Sequence, residues 1–217
     1  MRSTILRTAA LSAVVLGVVT GLPSQAAAPF KAVTITDPAG DGNGINGQGQ
    51  TAVPGQSTPS DYSGGDILSI TWRTLGTPKK PAGFQVAMKL AGPPATNTVY
   101  RVTTRTDDCS TFWLVYTTSA DAPPVGALQH NCPGFVPATT SISNTESDPL
   151  RTVKVTGSTI TWTLLPMSLP KVIKPGAKLS NLSGHSRFYA GSGAANQGLT
   201  PVEIDEISGD GSYTYGT

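Results

Sequence analysis

Along most of this chain apolar residues return at every second position, in short runs broken by Gly, Pro, Ser and Asn. The clearest run is 83–90, where Phe84, Val86, Met88 and Leu90 share one face and Gln85, Ala87 and Lys89 take the other. In 111–117, Phe112, Leu114 and Tyr116 oppose Trp113 and Val115. The same period predicts strands at 33–36, 66–75, 99–106 and, more weakly, 125–130. Segments 151–155 and 159–164 flank Gly157-Ser158, a glycine-first two-residue hairpin turn that brings Val153 and Val155 against Ile160, Trp162 and Leu164. Further short strands are expected at 178–182, at 187–190 and in the 205–215 tail. Between them, 166–176 contains Pro166, Pro170 and Pro175 and reads as a loop or one short turn of helix. Residues 77–81 read as a connector and 45–61 as a long polar surface loop. After the N-terminal leader, no run of helical period reaches two convincing turns. About ten short strands without such a helix predict an all-β, antiparallel, jelly-roll-like β-sandwich.

The first residues stand apart from this pattern. Arg2 and Arg7 precede an apolar run, and small residues at Ser24 and Ala26 close it, the order of a secretory signal peptide. The expected organisation is a signal peptide over 1–26 and a single sandwich domain over 27–217, exported from the cell. No later stretch is long and apolar enough for a membrane span. Of 15 Lys+Arg and 13 Asp+Glu, two arginines leave with the leader, so 15 − 2 = 13 basic groups balance 13 acidic ones. That balance leaves no basic stripe for nucleic acid. Cys109 and Cys132 are the two cysteines, and an oxidising compartment would let them form a structural disulfide.

Candidate chemistry gathers at 34–44, Thr-Ile-Thr-Asp-Pro-Ala-Gly-Asp-Gly-Asn-Gly, and at Ser63-Gly64-Gly65-Asp66. Oxygen-bearing side chains alternate there with glycines. Two readings fit Asp37, Asp41, Asn43 and Asp66: a Ca²⁺-clamped loop built from hard oxygen ligands, or plain turn chemistry in which Asp and Asn bond their own backbone. The spacing is not an EF-hand, because Ile45 stands where another oxygen ligand is required.

Trp72, Trp113 and Trp162 all fall in strands, where core packing is the ordinary role. Trp113 is the one whose strand already has an apolar face opposite it, so it is the candidate platform for a sugar ring. Tyr213 and Tyr215 share a strand face and are either edge packing or further carbohydrate contacts. His130 and His185 are the only histidines. His185-Ser186 is adjacent in sequence, yet no GxSxG elbow occurs to support hydrolysis.

The order of Asp37-Pro38-Ala39-Gly40-Asp41-Gly42, Asp66-Ile67, Phe84-Gln85-Val86-Ala87-Met88, Thr159-Ile160-Thr161-Trp162, Asp205-Glu206 and Gly211-Ser212-Tyr213 resembles a calcium-binding β-sandwich superfamily. That group contains the family-9 carbohydrate-binding modules, the DOMON-like domains and the glucodextranase C-terminal domain. The chain also looks like small exported proteins of actinobacteria. The resemblance implies a structural Ca²⁺ where the first loop meets the last strand, with Asp205 joining Asp37 and Asp41 as a ligand. The function expected on these grounds is non-catalytic binding of carbohydrate or another cell-surface component. Two alternatives stand beside it: a structural or interaction protein of the envelope with no small-molecule site, and a small secreted hydrolase.

Overall fold

A computed structural model of the chain describes residues 30–40, 63–107, 111–131, 138–142, 151–169, 173–189 and 202–217. The expected leader, the 45–61 loop, Asp41, Asn43, Cys109 and Cys132 lie outside these residues.

The described chain is an antiparallel all-β sandwich. Its strands are β1 (Val33–Thr36), β2 (Ile67–Thr77), β3 (Lys80–Leu90), β4 (Thr98–Arg105), β5 (Thr111–Thr117) and β6 (Val125–Asn131), followed by β7 (Ala138–Ile142). After these come β8 (Arg151–Thr156), β9 (Thr159–Leu164), β10 (Lys178–Phe188), β11 (Val202–Gly209) and β12 (Tyr213–Thr214). A single 3₁₀ turn, Pro166–Ser168, follows β9. One layer has the order β1-β2-β3-β9-β8. The other runs β11-β10-β4-β5-β6-β7, with β12 paired to the start of β10.

Alternation explains how the layers stack. Ile70, Trp72, Phe84, Val86, Met88, Ile160, Trp162 and Leu164 of the first layer are buried against Tyr100, Val102, Phe112, Leu114, Leu128 and Leu179 of the second. The Trp162 indole N–H crosses the interlayer space and donates to the Val115 carbonyl at 3.2 Å. This gives a large aromatic a polar contact where burial would otherwise leave its N–H without water.

Several boundaries differ from the sequence expectation. The 77–81 connector is a tight turn, because β2 continues to Thr77 and β3 begins at Lys80. The two short strands expected at 178–182 and 187–190 are one eleven-residue strand, β10. Gly184 looks like a break in sequence, but it faces the core, and a Cβ there would run into the Ile70 side chain and approach Met88 Cε at 3.2 Å. The glycine is needed for layer packing. Strand β7 had no clear alternation to announce it, and the tail expected to form strand over 205–215 holds two, β11 and β12. At Gly157 the backbone has φ 58°, the left-handed conformation that the expected glycine-first hairpin turn requires.

The start and end of the described chain meet. A Cβ on Gly209 would come within 2.5 Å of Ile35, and Gly211 lies beside Val33. The Ser63–Asp66 stretch is equally close-packed: a Cβ on Gly65 would lie 2.6 Å from Ile204, and one on Gly64 would strike the Pro93 carbonyl and lie 2.7 Å from the Ala95 nitrogen. Backbone cannot swing aside as a side chain can. We expect Gly64→Ala to cost about 1–3 kcal/mol in urea unfolding; an unchanged midpoint would show that this approach is not a constraint.

Candidate functional site

Two places concentrate polar side chains. The first is where β1, β2 and β11 meet. Asp205 on β11 is buried, and its Oδ2 accepts the Ile67 amide N–H at 2.6 Å. Asp66 is 4% exposed, its Oδ2 accepts the Gly40 amide at 2.7 Å, and its Oδ1 is buried with no hydrogen-bond partner. The Asp37 amide donates to the Leu68 carbonyl at 3.0 Å. The two sequence motifs and the last long strand are therefore held together by buried carboxylates. Among the described residues no three His, Cys, Asp or Glu side chains group as metal ligands. Asp37, Asp66 and Asp205 do not form such a cage by themselves, and Asp41 and Asn43 lie outside the described residues.

The second place is the outer face of the seven-stranded layer. Odd positions of the central strands point away from the core. The register sets Glu206, His185, Arg101 and Val115 in one row across β11, β10, β4 and β5. Arg187 lies between Glu203 and Val99 in the next row, and Trp113 pairs with Thr103 in the row on the other side. A register shift between Ser186 and Arg187 aligns Glu203 with Arg187. The two form an ion pair, Arg187 Nε donating to Glu203 Oε2 at 2.6 Å. The Arg101 guanidinium lies over the Trp113 ring, 5.7 Å from its centroid, a cation–π contact. Tyr189 follows β10, where its amide donates to the Asn97 carbonyl. Beside this cluster, a groove of about 360 Å³ is lined by Asn181, Ser183, Glu206, Ser208 and Asp210, among others.

Three polar atoms of this face are buried without a hydrogen-bond partner: Arg101 Nε, His185 Nε2 and Glu203 Oε1. Their environment shows in their acidity. Burial, followed by the nearby Arg187 and Arg101 charges, lowers the His185 pKa to about 3, so the imidazole is neutral at physiological pH. Burial and then Arg187 pull Arg101 down, against weaker support from Tyr189 and Glu203. Burial raises Glu203, opposed by its Arg187 partner. The cluster therefore combines two guanidinium groups, one carboxylate and one neutral imidazole in a partly desolvated surface.

The predicted candidates fall out unevenly. Trp113 stands half-buried on the outer face, while Trp72 and Trp162 are in the core. Tyr213 and Tyr215, expected as further carbohydrate contacts, are instead core residues, each 1% exposed. Their rings pack on Phe84 with centroids 6.3 and 5.8 Å away, which leaves no face for a ligand. The Tyr213 hydroxyl is bonded to Thr74 Oγ1. His185 and Ser186 point to opposite sides of β10: the Ser186 hydroxyl is buried and donates to the Gly65 carbonyl, so the adjacency in sequence makes no dyad. Sequence reasoning missed Arg101, Arg187, Tyr189 and Glu203. The available signal was arginine at outward positions of otherwise apolar strands, which gains meaning only once β4 and β10 are known to be neighbours.

Comparison with known proteins returned nothing: no family model, curated protein or solved structure matches the chain.

The His185 environment has a consequence for acid stability. Its folded pKa of about 3 lies below the ordinary 6.5, so the unfolded chain takes up this proton first as pH falls. The stability contributed by neutral His185 is complete above about pH 6.5 and is lost progressively towards pH 3. Arg101, Arg187, Glu203 and Glu206 share the face, so the readout is a difference between proteins. We expect the melting temperature of the wild type to fall more between pH 7 and about pH 4.5 than that of His185→Gln; parallel curves would refute a buried neutral imidazole.

Proposed function

We propose that this chain is an exported, calcium-stabilised β-sandwich that binds carbohydrate or another cell-surface component without catalysing a reaction. The binding surface is the outer face of the seven-stranded layer. The observation that carries the reading is the set of buried, unpartnered polar atoms on Arg101, His185 and Glu203, grouped with Trp113. An unmade hydrogen bond at a buried polar atom costs on the order of 1–3 kcal/mol. Sugar hydroxyls donate and accept equally well and would recover part of that cost. The aromatic ring supplies the apolar surface that a pyranose ring presents between its hydroxyls. The polar groove along β10 and β11 extends the same face, giving room for more than one sugar unit.

No catalytic role is assigned to the cluster. Glu206 is the cross-strand neighbour of His185, but the His185 Nε2 is buried without a hydrogen-bond partner, and the charges that act on the ring are those of Arg187 and Arg101.

Calcium belongs to the other end of the sandwich. Asp66 Oδ1 is the open oxygen that a hard cation would use, and Asp37, Asp41, Asn43 and Asp205 are the residues that would share it. Bound there, the ion would neutralise buried carboxylate charge and staple the first loop to the last strand. Saturation at about a thousand times Kd would stabilise the fold by roughly 4 kcal/mol.

Two measurements test these statements. Binding to a panel of immobilised polysaccharides should be detectable for the wild type and lost in Trp113→Ala; no binding to any member would redirect the reading to a structural envelope protein. Chelation with EDTA should lower the melting temperature of the wild type and leave Asp66→Asn unmoved, and a wild-type curve indifferent to EDTA removes the calcium.

A further inference from the structure

We propose that the saccharide bound on this face carries a carboxylate, a uronic-acid unit, and that Arg101 is its anchor. This rests on the reading of the outer face as a carbohydrate-binding surface and adds the chemical class of the ligand.

Pairing on the face is unequal. It carries two guanidinium groups, Arg101 and Arg187, and two carboxylates, Glu203 and Glu206, but the ion pair joins only Arg187 and Glu203, at 2.6 Å. Among the described residues no carboxylate forms an ion pair with Arg101, and its Nε has no hydrogen-bond partner. An arginine cannot shed its charge at neutral pH. It is therefore a half-buried cation whose natural partner is absent from the surrounding side chains. Trp113 supports the planar guanidinium fork from one side.

A carboxylate matches that fork with two parallel hydrogen bonds, a geometry that a lone hydroxyl cannot provide. His185 sits next to Arg101 in the register and contributes no second positive charge, because burial beside two arginines keeps it neutral. Its Nε2 is buried without a hydrogen-bond partner, a contact that a sugar hydroxyl would supply. Glu206, exposed in the same row, disfavours a densely charged anion and so suits a single carboxylate per sugar. Poly(glycerol phosphate) shares the negative charge but lacks a ring to lie beside Trp113 and Tyr189.

The experiment uses the full exported chain and three soluble polymers: polygalacturonate, the same polymer after carboxyl reduction, and poly(glycerol phosphate). Polygalacturonate should bind, with affinity falling as salt is added. Carboxyl reduction should weaken binding about tenfold or more, the scale of one charge-assisted contact. Arg101→Gln should lose that preference, while Arg101→Lys, which keeps the charge but not the fork, should retain only part of it. Melting curves of both variants establish that they are folded, and if Arg101→Gln does not fold, the two polymers on the wild type decide. Equal binding of the reduced polymer would overturn the carboxylate while leaving the carbohydrate reading in place. Stronger binding of poly(glycerol phosphate) would overturn it in favour of phosphate. No binding to any of the three, with none to neutral polysaccharides, would remove both.

Discussion

A buried carboxylate holds this sandwich closed. Asp205 accepts the Ile67 amide across 138 residues of chain, and that single contact fastens the last long strand to the beginning of the second. A hydrogen bond to an ionised group in low dielectric is worth about 1.5–3 kcal/mol, and more is lost if its buried partner is left alone. Asp66 repeats the device one residue earlier by catching Gly40. Close-packed glycines make both contacts reachable, since Gly65 admits the Ile204 side chain and Gly209 admits Ile35. The carboxylates and the glycines act as one latch, in which small residues bring the backbone near enough for the acids to bind it.

The polar cluster on the outer face depends on that latch although it lies outside the core. β11 carries Asp205 towards the interior and Glu203 and Glu206 towards solvent. Where the latch places β11 beside β10, the register shift after Ser186 brings Glu203 to Arg187. Burial, together with the neighbouring Arg187 and Arg101, keeps His185 uncharged. Below them, the Trp162 bond to the Val115 carbonyl and the small Gly184 set how closely the layers approach. A surface cluster of this kind is costly: three of its polar atoms are buried and unpartnered. Asp66, Trp72 and Tyr215, away from this face, carry the other buried polar atoms without partners among the described residues.

The sequence was legible where a local rule governs. Period-two alternation located β5 and the β8–β9 hairpin almost to the residue and most of β3, because an apolar face must be buried once per layer. Gly157 betrayed its turn because few other residues adopt a positive φ cheaply. Legibility failed where a residue's role depends on a distant neighbour. Gly184 resembled a strand break, since nothing nearby reveals that Ile70 and Met88 fill the space of its missing side chain. Tyr213 and Tyr215 resembled an exposed pair, since the Phe84 ring that buries them is far away in sequence.

From the sequence alone came the all-β class, the core-facing side of the main strands and the suspicion that Asp37 and Asp66 belong together, each a matter of spacing and side-chain chemistry; Asp205 joined them only through the resemblance. Strand order decided the rest. Arg101, His185, Arg187 and Glu203 are spread over about a hundred residues, and only pairing of β4 with β10 and of β10 with β11 makes them one surface. Electrostatic interaction falls off with distance in space and takes no account of distance along the chain, so a charged cluster becomes visible only after the sheet is assembled.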